Sequence, residues 1–298
     1  MKNLKIIRPA GLEKECFLSK NLKGFEQNGF CLIEKKMQLD QNWPYAASSK
    51  ENRLEQLHDA FEDDMCANII CARGGYGASD LLPTINWKKI NAVKPKKFIG
   101  FSDISALHSA FYSHLGRNSQ IRLLHAPMPS TELWDFNIDE IKLLLDVLTQ
   151  STLKTVTMSL RPINKNAEDQ INLSIEGFLF GGCFSVLTNL IGTNYLPPLS
   201  DHILFFEDIG EHPARLIRYL NQWIQSNSLD GVKAIVLGYF KDLGLGIEDN
   251  SAMFLKEFGD RLNIPVWHSK NFGHIKRNMP LELGAQAKIQ NNSIKYNL

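Results

Sequence analysis

Short apolar runs alternate along this 298-residue chain with stretches of helical spacing. Leu4–Ile7, Phe30–Ile33, Asn68–Cys71, Lys97–Phe101 and Ile121–His125 are too short for buried helices and are bounded by turn residues or charges, so they read as strands. Between them, residues 12–27, 49–63, 103–115 and about 137–149 carry apolar side chains at three- to four-residue spacing. In 49–63, Leu54, Leu57 and Phe61 share one face, and Ser49 opens the segment as a helix start would. Strands that alternate with helices predict a parallel sheet covered on both faces.

Two places break this rhythm. Lys97–Phe101 passes into the next helical pattern (Ile104, Leu107, Phe111, Leu115) with only Ser102 and Asp103 between. A serine on such a strand-to-helix turn exposes its hydroxyl at the sheet edge, beside backbone N–H groups that lack intrahelical partners. The same residues suit a plain N-cap, and this stretch alone favours that reading. After Asn68–Cys71 comes Arg73-Gly74-Gly75-Tyr76-Gly77, where glycines mark either a sharp turn or a close approach of backbone to something else. The loop lacks the spacing of a dinucleotide fingerprint and the Lys-Ser/Thr of a P-loop.

From about residue 150 the character changes. Ser151–Leu160 alternates like an exposed strand, and Arg161–Gln170 is polar, which places a linker there and a boundary at about 160, with domains at 1–160 and 161–298. The second half begins with Glu176–Cys183 and a helix at about 184–191. Ile203–Asp208 is a buried strand that ends on two carboxylates, and Pro213 opens a helix to about 226 with Leu216, Leu220 and Trp223 on one face. Ala234–Gly238 and Pro265–Trp267 are further strands, and 251–260 is a helix. Residues 286–289 and 293–296 around Asn291-Asn292 form a hairpin.

Lys plus Arg is 33 and Asp plus Glu is 32, so no basic stripe recommends nucleic acid and no charge excess recommends a membrane surface. No apolar run approaches the length of a membrane span, and Arg8 interrupts the N-terminal one, which argues against a signal peptide and for a cytoplasmic protein. Five cysteines without a Cys-x-x-Cys pair suit free thiols in a reducing compartment, with Cys66 and Cys71 buried, and suggest no zinc site.

Ser102, Glu207 and His274 share a setting: each lies at a strand end or in a loop after a strand, where parallel sheets bind ligands. Serine needs a base to take its proton, histidine can do so near neutral pH, and a carboxylate fixes the imidazole tautomer. Their chain order, Ser then Glu then His, occurs in α/β-hydrolases, but the Gly-x-Ser-x-Gly elbow of that fold is absent. Each residue also has a structural reading: Glu207 or Asp208 as a cap, and His274 as one of eight ordinary histidines.

Arg73–Gly77, Gly100–Asp103, Glu176-Gly177-x-Leu179-x-Gly181-Gly182, Phe206–Asp208 and Phe272–His274 together resemble the LD-carboxypeptidase family of serine peptidases, which includes muramoyl-tetrapeptide carboxypeptidases and microcin-immunity peptidases. Singly these motifs are weak; five in order are specific. The resemblance implies an N-terminal flavodoxin-like α/β domain and a C-terminal mixed α/β domain with the active site at their interface. It implies Ser102 as nucleophile, His274 as base then acid, Glu207 as its partner, and backbone N–H groups of Gly75 and Asp103 as the oxyanion hole. Arg73, Tyr76, Glu176 and Cys183 are the candidate substrate contacts, with Lys241 and Arg277 as further cations for a terminal carboxylate. The implied substrate is a murein tetrapeptide from peptidoglycan recycling, cleaved before its terminal D-alanine without metal or cofactor by a cytoplasmic homodimer. An aminoacyl-nucleotide substrate of the microcin type would call for an aromatic platform, for which Trp134 is the candidate. A two-domain binding protein without chemistry is the rival from another class. Cys183 stands where many family members carry Asn, and this departure bears on substrate identity, because a thiol cannot replace an amide.

Overall fold

The computed structural model describes residues 2–35, 37, 44–91, 93–149, 153–243 and 251–298. The chain forms two compact units, Met1–Ser151 and Thr152–Leu298. The break precedes the expected boundary at about 160 because β6 (Thr155–Ser159) pairs with β14 (Ser293–Asn297) at the far end of the chain. The alternation seen from Ser151 onward is thus a strand of the second unit, although residues 151 and 152 lie outside those described.

In the first unit β1 (Lys2–Ile7), β2 (Phe30–Glu34), β3 (Asn68–Cys71), β4 (Lys96–Gly100) and β5 (Ile121–His125) pair only in parallel, in the order β5-β4-β3-β1-β2. This is the flavodoxin-like order, in which the chain leaves β1 toward opposite sides of the sheet. Ile69 and Ile70 point to opposite faces of β3, and neither is exposed, so both faces are covered. The cover comes from α1 (Glu15–Gln27), α2 (Lys50–Glu62), α3 (Ala78–Leu81), α4 (Trp87–Asn91), α5 (Ser105–Leu115) and α6 (Asp139–Thr149). Phe98 on β4 meets Phe61 of α2 and Phe111 of α5 at ring separations of 5.4 Å each. Phe25 of α1 packs against Phe30, Trp134 and Phe136. Helix α4 carries no usable periodicity at five residues and escapes a reading based on spacing.

The second unit is a mixed eight-stranded sheet in the order β6-β14-β13-β8-β9-β10-β11-β7. Its centre, β8 (Ile175–Cys183), β9 (His202–Ile209), β10 (Ala234–Lys241) and β11 (Val266–Gly273), is parallel; β7 (Arg161–Pro162), β13 (Gln286–Gln290) and β14 add antiparallel pairs. The short β12 (Leu281–Leu283) precedes Gly284, whose N–H donates to the Leu179 carbonyl. Helices α8 (Phe184–Thr188), α9 (Pro213–Gln225) and α10 (Ser251–Asp260) pack as an aromatic cluster, with Phe184 against Phe206, Trp223 and Phe258. The hairpin turns on Asn291 and Asn292 at φ 50° and 52°, the left-handed pair that a two-residue type I′ turn needs.

Two expectations fail here. The polar stretch 161–170 is not a linker: it contains β7 and α7 (Lys165–Asp169). Buried Asn164 caps α7 and also donates to the carbonyls of Gly259, Leu262 and Ile264, so its polarity serves backbone groups inside the unit. The strand expected to end at Trp267 runs on to Gly273, because an irregularity in register lets pairing resume at Tyr239 and Gly273.

Candidate active site

Ser102 is placed where β4 ends. Phe101 is extended, Ser102 takes φ 61°, and a 3-10 turn over Ser102–Ile104 leads into α5. A non-glycine residue at positive φ is strained and is held only when its surroundings fix it. They do so here. A Cβ added to Gly74 would lie 2.9 Å from Ser102 Cβ and 3.2 Å from the Asp103 nitrogen, so only glycine permits the approach. Gly11 N–H donates to the Gly74 carbonyl at 2.9 Å, joining the loops that follow β1 and β3. These loops lie at the topological switch point of the sheet, where open α/β folds bind ligands.

The helix-cap reading fails. Neither the 3-10 turn nor α5 has a side-chain cap bond. Asp103 instead reaches across, and its Oδ2 accepts the Ala78 N–H at 2.9 Å. Burial, helped by Asp80, raises the Asp103 carboxyl to about 6, against the Ala78 bond and the charge of Arg53.

Glu207 and His274 belong to the other unit. Glu207, on β9, has no exposed surface. His274 follows the last residue of β11, and its Nδ1 lies 2.6 Å from Glu207 Oε2. The buried Asn278 amide oxygen accepts the Gly273 N–H at 3.0 Å, and Met279 N–H donates to the Asn271 carbonyl at 2.7 Å, closing the loop that carries the imidazole. Burial opposes the imidazolium, but the charge and hydrogen bond of Glu207, with Asp208 behind, outweigh it, so the His274 pKa is raised above 6.5; Lys241 opposes this.

The structure also reveals a network that no spacing announced. Asp208, one residue past Glu207, accepts from Ser185 N–H at 2.7 Å, Ile209 N–H at 2.9 Å and Ser185 Oγ at 3.2 Å, and Cys183 Sγ lies 3.4 Å from its Oδ1. Burial first, then the neighbouring Glu207, pushes the Asp208 carboxyl up to about 6.

The remaining expected residues divide. Arg73 and Tyr76 stay on the loop beside Ser102: Arg73 Nη1 donates to the Leu12 carbonyl at 2.5 Å, and Tyr76 is exposed, edge-on to Tyr45. Cys183 is buried and turned toward Asp208 rather than open to a substrate. Glu176 is at the wrong end of β8: Cys183 is the residue paired with Glu207, and seven residues at about 3.3 Å each separate Glu176 from it. Glu176 faces Lys288 at 3.4 Å instead. Arg277 is exposed and Lys241 half-buried. Trp134 is packed in the core against Phe25 and Phe136 and offers no platform. Among the described residues no cluster of His, Cys, Asp and Glu could hold a metal ion, and no helix is long and apolar enough to cross a membrane. Cys66 and Cys71 are buried free thiols, as expected.

A serine at a strained strand-to-helix turn, and a histidine oriented by a buried carboxylate, are residue types that serine peptidases use. Residues 4–121 match the LD-carboxypeptidase N-terminal domain, and residues 176–289 match the LD-carboxypeptidase C-terminal domain. A murein tetrapeptide carboxypeptidase of Pseudomonas aeruginosa is 30% identical over 264 residues, covering 87% of this chain and 83% of its relative. The crystal structure of a muramoyltetrapeptide carboxypeptidase from Oxalobacter formigenes superposes with a TM-score of 0.81 at 27% identity, covering 99% of this chain and 98% of that one. The microcin C7 self immunity protein MccF shares the fold, with a TM-score of 0.82 at 20% identity over 100% of this chain and 96% of its own. This chain therefore belongs to the LD-carboxypeptidase family of serine peptidases.

Proposed function

We propose that the protein removes the terminal D-alanine from murein tetrapeptides in the cytoplasm, as a step of peptidoglycan recycling, through an acyl-enzyme on Ser102. The observation that carries the reading is the 2.6 Å contact between His274 Nδ1 and Glu207, which engages Nδ1 and so assigns the proton transfers to Nε2. In this reading Ser102 Oγ attacks the carbonyl of the third residue as its proton passes to His274 Nε2. The oxyanion is held by the backbone N–H groups of Gly75 and Asp103, at a turn where the adjacent helix end favours negative charge. The C–N bond breaks as His274 returns the proton to the amine of D-alanine. A water molecule, deprotonated by the same imidazole, attacks the ester; the C–O bond breaks, Ser102 recovers its proton and the tripeptide leaves. Glu207 remains ionised throughout and stabilises the imidazolium. Function as a homodimer is part of the proposal.

Supplying the purified protein with a murein tetrapeptide and, separately, with a peptidyl-adenylate tests the substrate. Release of D-alanine with no turnover of the adenylate supports the reading. Turnover of the adenylate alone assigns the microcin type of activity, and turnover of neither, with Ser102 unreactive toward serine-directed probes, leaves a binding protein. The burial of Trp134 removes that residue as the platform on which a base would stack.

A further inference from the structure

Arg53 lies on α2, inside the first unit, with its side chain 1% exposed. Its Nη1 donates to the carbonyls of Pro9 at 2.7 Å and Gly77 at 2.6 Å, and its Nε donates to the carbonyl of Ser48 at 3.1 Å. These acceptors belong to different segments: the loop after β1, the loop after β3, and the entry to α2. The partial ion pair with Asp80 is long, at 3.5 Å, so backbone carbonyls rather than a carboxylate are the principal partners. Such a set requires the planar fork of a guanidinium, which presents several donors at fixed angles; an ammonium cannot span it.

What the bracing reaches is the nucleophile. The two loops tied by Arg53 are also tied by the Gly11–Gly74 bond, and Gly74 is the residue against which Ser102 is seated. Gly77 is gripped by Arg53, while the next residue, Ala78, is gripped through its N–H by Asp103, the neighbour of Ser102. Gly77 sits at φ 108°, and a Cβ there would fall 2.8 Å from Arg53 Nη1, so glycine and guanidinium are fitted to each other. The charge of Arg53 also favours the ionised form of Asp103, which makes the better acceptor for Ala78.

We propose that Arg53 is a positioning residue for the nucleophile: it sets the spacing between Ser102 and the Gly74–Gly77 loop, and hence the aim of the oxyanion donors, without touching substrate. The proposal rests on the reading of Ser102 as nucleophile. A misplacement near 1 Å at such a centre costs about a hundredfold in rate.

The test uses the full chain with Arg53→Met and Arg53→Lys, and reads both the rate of Ser102 phosphonylation by a fluorophosphonate probe and the kcat and KM of D-alanine release. Circular dichroism and thermal melting establish folding, and Arg53→Lys, which keeps charge and bulk, serves if Arg53→Met does not fold. Expected are a fall of about a hundredfold in probe labelling and in kcat for Arg53→Met, KM within about twofold, and an intermediate value for Arg53→Lys. Partial recovery of labelling in Arg53→Gly with millimolar methylguanidinium is expected as well, which a merely destabilised chain would not show. Folded Arg53→Met or Arg53→Lys protein that labels at the wild-type rate overturns the proposal, as does a loss confined to KM. Probe labelling does not depend on the natural substrate: wild-type protein that labels at Ser102 but releases no D-alanine contradicts the substrate assignment alone. Wild-type protein that releases D-alanine without labelling at Ser102 contradicts the nucleophile, and the Arg53 proposal with it.

Discussion

His274 Nδ1 and Glu207 Oε2 are 2.6 Å apart, and the carboxylate that holds the imidazole has no exposed surface. Burial alone would discourage the imidazolium, yet Glu207 raises the His274 pKa above 6.5. A general base must be neutral, so kcat/KM should fall on the acid side with a midpoint above 6.5. Glu207→Gln removes the charge that favours the protonated ring, and the acid midpoint should move to lower pH while the plateau drops by about 10²–10⁴-fold. A pH–rate profile of both proteins checks this; an unmoved midpoint contradicts the pairing.

Gly74→Ala should leave the unit folded and the active site impaired. The new methyl would meet Ser102 Cβ at 2.9 Å, and its relief must come from the serine or from the loop. D-alanine release should fall by about a hundredfold, the usual cost of a displacement near 1 Å, with thermal stability changed far less. Activity within twofold of wild type would contradict the seating of Ser102 against Gly74.

Stability should carry the signature of Asp208. Its carboxyl titrates at about 6 in the folded protein against an ordinary 3.8, so the folded state holds the extra proton between these values. Stability from this group is complete below about 4 and is lost as pH rises through about 6. At about 1.4 kcal/mol per pKa unit this amounts to roughly 3 kcal/mol. Asp103 adds a slope of the same sign. Urea unfolding between pH 4 and 7 should show a shallower dependence in Asp208→Asn than in wild type.

The thiols should separate by burial. Cys16 and Cys31 are exposed and should react with a maleimide within minutes, whereas Cys66, Cys71 and Cys183 are buried and should react only after denaturation. Burial, with Asp208 and Glu207 close by, raises the Cys183 thiol well above its usual range, which removes its thiolate as well as its access. Peptide mapping of the labelled sites decides it.

The sequence speaks most clearly where one residue type alone fits. Gly74 beside Ser102 and Asn291-Asn292 in the hairpin are legible because backbone geometry demands them. The parallel first sheet follows from short apolar runs with both neighbours buried, as Ile69 and Ile70 show. Asn164, Arg53 and Asp208 are illegible for a common reason: each is a buried polar group whose partners are backbone atoms or residues distant in the chain. The polarity of 161–170 suits a linker, yet at Asn164 it marks an amide that closes three carbonyls. Glu176 sits in a matched motif, while strand geometry carries it to the far end of β8 from Glu207.

The central claim is that Ser102 forms the acyl-enzyme. It is tested most directly by incubating wild-type and Ser102→Ala protein with a murein tetrapeptide and measuring released D-alanine. Wild type should release it, and the folded Ser102→Ala protein should show a loss of at least about 10⁴-fold, as expected when a nucleophile is removed. Release by Ser102→Ala at a rate comparable to wild type would contradict the account.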